Sequence, residues 1–317
     1  MACGGHPAAV EFERDERGIG IFEDDVVADF APGLRLKFEI VIMIAELEAG
    51  VFCFLAHGVA ARGDEFEIVE GEIRSDGGEA FAMACDIREE GAVIAAIETT
   101  LKRYGQIDGL VNNAGGQYRT AMKNISTKGF EAVVRNNLTG GFIFMRELYN
   151  RHMESRGGSI VNVIADIWYG WPEFAHSGAA RGGMLTLTET AACEWAASGV
   201  RVNAVAPGGI ASSGFDTYPP ELRSRLFEYP SRIPAQRFGT ESEVSAAIVF
   251  LLSPAAAYIT GACIRVDGGA PNARQTWNLQ KHSNSAPYQG FHRATSPEAL
   301  GESTRTDSEA PHTRTGR

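Results

Sequence analysis

The stretch "EFAHSGAARGGMLTLT", Glu173 to Thr188, sets His176, Ser177 and Arg181 among small residues at the opening of an apolar helix. A hydroxyl or imidazole can donate to a developing negative charge, and a histidine can also titrate near neutral pH. An arginine cannot shuttle protons there. Arg181 therefore reads as a fixed charge for a ribose or phosphate, with a surface ion pair as the plain alternative. His176 reads equally well as a packed or helix-capping residue. Just upstream lie Asp166, a donor only if protonated, and Tyr169, beside Trp168. After Glu173 the stretch holds no tyrosine, lysine or carboxylate, so the source of any proton is the question it poses.

These groups need elements to position them. "EAFAMACDI" (Glu79–Ile87) reads as a strand, "REEGAVIAAIETTLKRYG" (Arg88–Gly105) as an amphipathic helix with a glycine stop, and "IDGLVNNAG" as strand and loop, followed by a helical pattern to about Asn150. "GSIVNVIAD" is a buried strand, "ARGGMLTLTETAACEWAASG" a long helix, and "VRVNAVAPGGI" another strand and loop. "ESEVSAAIVFLLSPAAAYITG" reads as a helix behind a Ser/Glu cap, and "CIRVDGG" as a last strand. Short apolar strands alternating with helices predict an α/β fold, a doubly wound parallel sheet of Rossmann type.

Ligands of such sheets sit at the carboxyl ends of the strands. Four ends here carry special residues: Asp86, "NNAGG" (Asn112–Gly116), "IAD" (Ile164–Asp166) and "APGG" (Ala206–Gly209). Glycine and alanine let a flat ligand approach the backbone, and Asp86 can accept from an adenine amine. Tight turns explain any one of these ends, but poorly explain all four.

A net charge of −11 argues against nucleic acid and anionic membranes. The acidity is concentrated: residues 1–70 carry 15 acidic and five basic side chains. Five scattered cysteines show no paired spacing, which reads as reduced thiols without a zinc site or disulfide frame. No basic-then-apolar leader opens the sequence and no apolar run approaches a membrane span, so the expectation is a cytoplasmic protein. The expected organisation is a polar extension over 1–20, one domain over 20–270, and a polar tail over 271–317 that becomes disordered from about Thr295.

"LVNNAGG", "NNLTGGF", "GGSIVNV", "VRVNAVAPGGI", "FLLSPAAAYITG" and "VDGG" occur in the order found in the short-chain dehydrogenase/reductase family, which the sequence resembles from about Glu72 to Gly269. "HSGAAR" and "NNAGGQ" resemble its branch of enoyl- and dienoyl-thioester reductases and citronellol-dehydrogenase-like bacterial proteins. The resemblance implies a homo-tetramer that binds NADP, with NAD the other candidate, and acts on a small molecule. It places Asp86 and Ile87 near the adenine, Asn113, Ala114 and Gly115 over the adenosine ribose, and Pro207, Gly208, Ile210 and Ser212 toward the nicotinamide. Asn137 matches the active-site asparagine that holds a helix kink, and Arg62 matches an arginine that favours NADP.

Two departures stand out. The family's glycine-rich turn, where helix N-terminal amides meet the pyrophosphate, has no counterpart in "GLRLKFEIVIMIAELEAGVFC" (Gly33–Cys53). There Glu39, Glu46 and Glu48 repel phosphate, and the register returns near "VAARGDE" (Val59–Glu65). Length is kept while pattern is lost over about 28–58, as a local reading-frame shift leaves it; translating the gene's other two frames tests this. The second departure is the triad. The family's tyrosine and lysine slots hold Ser177 and Arg181, and its serine slot holds Ile164. Loss of the tyrosine suits reduction of an enoyl thioester, whose enolate needs hydrogen-bond donors more than a strong acid. Ser177, His176, Tyr169 and Asp166 are the candidates. Oxidation of an isoprenoid alcohol such as citronellol is the alternative activity. A catalytically impaired chain kept for binding or oligomerisation is the alternative of another class.

Overall fold

The computed structural model describes the backbone at 12–14, 30–34, 40–47 and 50–57. It describes backbone and side chains at 70–71, 73–75, 79–212, 215, 226–273, 278–288, 297 and 300. Arg62, most of the 1–20 extension and most of the tail beyond Thr295 lie outside the described residues. The chain divides into two compact units, Met1–Pro207 with Ala246–Arg265, and Gly208–Ser245 with Val266–Arg317.

The strands are β1 (Phe12–Arg14), β2 (Phe30–Leu34), β3 (Ile40–Leu47), β4 (Gly50–His57), β5 (Glu79–Cys85), β6 (Gly109–Asn112), β7 (Gly158–Val163), β8 (Val200–Pro207), β9 (Ile210–Ala211), β10 (Gly239–Thr240) and β11 (Cys263–Val266). Seven of them form one sheet in the order β11-β8-β7-β6-β4-β3-β5. Pairing is parallel from β4 through β6 and β7 to β8. The long intervening stretches of chain allow this, since a parallel pair needs a crossover of about a dozen residues or more. β6 is buried along its whole length, and β8 nearly so, as expected of strands covered on both faces.

β3 breaks the parallel pattern. It runs antiparallel to both β4 and β5, and Leu47 pairs with Gly50, so only two residues separate β3 from β4. A connection that short can join antiparallel neighbours only. The parallel fold class holds for the rest of the sheet, while this segment, where the sequence departs from the family pattern, is a hairpin.

The helices are α1 (Glu90–Tyr104), α2 (Thr127–Val134), α3 (Gly140–Leu148), α4 (Ala175–Glu194) and α5 (Glu241–Leu252). α1 begins with an acidic residue, ends in Lys102 and Arg103, and stops at Gly105 in the left-handed region, whose amide reaches the Leu101 carbonyl. α2 and α3 belong to one continuous helical run interrupted by π turns at Arg135–Thr139 and Tyr149–Met153. The run therefore extends past the Asn150 expected from pattern. α5 is capped by Thr240, not by a serine: the Glu243 amide donates to Thr240 Oγ1 at 3.2 Å and the Thr240 amide to a Glu243 carboxylate oxygen at 2.9 Å, a reciprocal capping box. In the first unit, Ile97, Ile107, Leu110, Phe144, Leu148 and Ile160 are fully buried between sheet and helices. Among the described residues no helix is long and apolar enough to cross a membrane.

Candidate active site

The loop after β6, the end of β7, the first π turn and α4 meet around Gly115 in the first unit. A side chain at Gly115 would run into the guanidinium of Arg181 and the Oδ1 of Asn137, so only glycine lets both close over this loop. Asn137 sits in the first π turn. Its Nδ2 donates to the carbonyl of Val133 at 2.8 Å and to that of Gly116 at 2.6 Å, so the side chain fills the opened helical ladder and ties it to the loop after β6. Asn137 Oδ1 is buried and has no hydrogen-bond partner among the described residues.

Arg181, six residues into α4, donates from Nη1 to the Val163 carbonyl at the end of β7, at 2.7 Å. Among the described residues no carboxylate pairs with it, so the surface ion pair fails. Its guanidinium is enclosed, and burial pushes its pKa down to about 10. A fixed positive charge without a counter-ion, beside a backbone cradle, is what an incoming ribose or phosphate oxygen would find.

Ser177 is wholly buried, with its hydroxyl donating to Oε1 of Gln117. Gln117 is exposed and uses its carbonyl on the serine, leaving its amide nitrogen free of that bond as a donor. Nothing in the spacing of "NNAGGQ" singles out Gln117; its place directly after the ligand-facing glycines is the available signal. His176 is also wholly buried, edge-on to Tyr118 with ring centroids 4.5 Å apart, and its Nδ1 accepts from the Ser177 amide at 2.8 Å. Burial pushes its pKa down, against a hydrogen bond with the Phe174 backbone that pushes it up. The ring is thus neutral at pH 7 and seats Ser177 from behind.

The remaining expected residues fall differently. Tyr169 is 74% exposed with φ at +69°, on the turn after β7. Asp166 is half-buried, its amide donating to the Pro207 carbonyl at 3.0 Å. Both carboxylate oxygens of Asp86 are engaged by Arg88, at 2.9 and 2.7 Å, so an adenine amine would have to compete for them. Burial raises the Asp86 pKa, but these bonds outweigh it and hold the carboxyl below its usual range. Ile87 packs in the core beneath Gly140. Asn113 is exposed and Ala114 buried on the loop around Gly115.

In the second unit, a side chain at Gly208 would lie 2.8 Å from the Cα of Asp267, and one at Gly209 would enter the Tyr229 ring. Ile210 lies in β9, and Ser212 follows it, its carbonyl accepting from the Phe215 amide at 3.0 Å.

The nicotinamide dinucleotide implied by the sequence fits these residues on one side only. Gly115, the orphaned Asn137 Oδ1 and the unpaired Arg181 suit a ribose and its oxygens. Beside them, β4 holds the place next to β6, and the residues after it, "HGVAARGDE", carry no glycine-rich turn for a pyrophosphate.

Residues 58–271 match the family model described as enoyl-(acyl carrier protein) reductase. The chain is 36% identical over 190 residues to the peroxisomal 2,4-dienoyl-CoA reductase of Danio rerio, covering 59% of this chain and 63% of that relative. It is 35% identical over 218 residues to a probable 2,4-dienoyl-CoA reductase of Bacillus subtilis, covering 67% and 85%. Among solved structures it resembles a citronellol catabolism dehydrogenase of Pseudomonas aeruginosa, with 50% identity, a TM-score of 0.58, and coverage of 66% of this chain and 81% of the other.

Proposed function

This chain belongs to the short-chain dehydrogenase/reductase family and is an oxidoreductase of that type, and on that footing we propose that it reduces α,β-unsaturated acyl thioesters, enoyl-CoA foremost, with NADPH. The observation that carries this reading is the Gln117–Ser177 pair beside Arg181, where a ketone reductase needs an activated phenol.

Ketone reduction calls for an acid at the carbonyl oxygen. Of the nearby tyrosines, Tyr169 faces solvent, and burial of the Tyr118 phenol pushes its pKa up. Neither is a primed acid. Enoyl-thioester reduction places the charge on the thioester oxygen as an enolate, and a well-placed donor stabilises such a charge by about 3 kcal/mol. Gln117's amide nitrogen, free of the Ser177 bond, is the donor for this; Ser177 fixes its orientation, and His176 fixes Ser177. The α-carbon then takes its proton from a weak acid or water. A bound nicotinamide coenzyme supplies the hydride. Arg181 and Asn137 hold the ribose side of its site.

Two observations favour other readings. The 50% identity to a citronellol catabolism dehydrogenase favours alcohol oxidation. The β3–β4 hairpin favours a chain that binds coenzyme poorly. Incubation with crotonyl-CoA, citronellol and each coenzyme, alongside NADPH fluorescence titration, separates the three. Crotonyl-CoA-dependent NADPH consumption is expected. Oxidation of citronellol alone sinks the reductase reading, and absence of any coenzyme binding favours the impaired chain.

A further inference from the structure

In the second unit, β9 and β10 form a two-stranded parallel sheet of two residues each, Ile210 opposite Gly239 and Ala211 opposite Thr240, with the Gly239 amide donating to the Gly209 carbonyl at 3.0 Å. Strands this short do not hold themselves together in water. The stretch leading into β10 is also strained: Gln236, a non-glycine, sits at φ +52°. Such a conformation persists only where its surroundings over-determine it.

Those surroundings come from the far end of the chain. Gln236 donates to the Gln280 carbonyl at 2.8 Å and accepts from the His282 amide at 3.0 Å. The Arg237 guanidinium is a hub: it forks onto both carboxylate oxygens of Glu243 at 2.8 and 2.6 Å, and reaches the carbonyls of Ser285 and Ala286 at 3.0 and 3.2 Å. Thr240, itself in β10, donates to the Tyr288 carbonyl at 2.8 Å, and the Tyr288 amide returns to Glu243 at 3.1 Å. Bonds with one charged partner are roughly twice as strong as neutral ones.

We propose that the segment from Gln280 to Tyr288 is a positioning strap for the loop 209–211: it fixes β10 through Thr240, Arg237 and Glu243, and β10 in turn fixes Gly209 to Ala211. This rests on the reading of that loop as the nicotinamide side of the site. Arg237 and Glu243 are positioning residues that touch neither coenzyme nor substrate. The strap's action is on the loop's backbone, so its loss loosens the loop without altering the sheet.

The test is amide hydrogen exchange on the full-length protein, without coenzyme, for Glu243→Gln and Tyr288→Pro. The first weakens the hub. The second deletes one amide donor in the strap and leaves the body of the unit intact, so it carries the test if Glu243→Gln does not fold. Both are expected to speed exchange at 209–212 by about tenfold or more, with Gly158–Val163 unchanged. In turnover, coenzyme KM is expected to rise several-fold and acyl-substrate KM to move less than about twofold. Faster exchange at 285–288 with normal protection at 209–212 overturns the proposal. The exchange result stands even if no turnover is found, so failure of the strap and failure of the reductase reading remain distinct.

Discussion

Replacing Arg181 with methionine should stabilise the protein and disable it in one step. Burial pushes the guanidinium pKa down to about 10, and holding a charge against that much desolvation costs up to about 3 kcal/mol. The residue keeps some solvent access, so this is an upper figure. Methionine fills similar volume without charge but forfeits the bond to the Val163 carbonyl, worth about 1 kcal/mol. The net expectation is a gain of roughly 1–2 kcal/mol, or a Tm rise of about 2–8 °C for a chain of this size. Urea denaturation at pH 7, with the slope unchanged and the midpoint raised, reads the stability; NADPH fluorescence titration reads binding. Coenzyme affinity should fall by tenfold or more as an enclosed cation of the cradle disappears. A variant that loses 1 kcal/mol or more while binding NADPH normally would refute the reasoning, since Arg181 would then be a packing residue with no strain to release.

Ser177→Ala should lower turnover about 100-fold at unchanged coenzyme affinity, and Gln117→Leu should do the same with no further loss in the double variant, measured as kcat in a double-mutant cycle. Gly115→Ala drives a methyl into Arg181 and Asn137 and should cost about 1–3 kcal/mol in urea unfolding; a neutral result would mean the cradle is loose. The Asp86 pKa is lowered in the fold, so its contribution is complete above its unfolded value near ~4 and is lost as pH falls through the folded value. Arg88→Ala should therefore lower the urea midpoint at pH 7, with the difference from wild type shrinking as the pH falls below ~4. Light scattering at micromolar concentration should find a homo-tetramer, and a monomer would remove that expectation.

Elements whose periodicity arises from burial on both faces were legible from residues alone: β6, β7, β8 and the helices around them fall where the apolar runs put them. Gly105 was legible as a stop because its left-handed φ suits few other residues. The pairing partners of residues 40–57 were not, since an apolar run without turn chemistry carries no direction. Ser177 and Arg181 could be located by spacing from the helix, but spacing says nothing of burial, and it left open that Arg181 lacked a carboxylate. Gln117 escaped because an exposed amide has no periodic or charge pattern; its meaning lies in a contact 60 residues away. The left-handed backbone and high exposure of Tyr169 likewise follow from no spacing in the sequence.

The hairpin between β3 and β4 also changes how this sheet comes together. Its contacts close across a two-residue connection, whereas β4 meets β6, and β6 meets β7, only after about 50 residues of intervening chain. A hairpin forms on the order of microseconds, and long loop closures are what slow sheet assembly. The β3–β4 pair is therefore a local contact of the sheet, with β4 open to a parallel partner and β3 to an antiparallel one. Assembly can then grow outward from that pair in both directions, with β5 added on one side and β6 on the other. Residues 40–57 thus exchange a phosphate-binding turn for a local nucleus of the sheet.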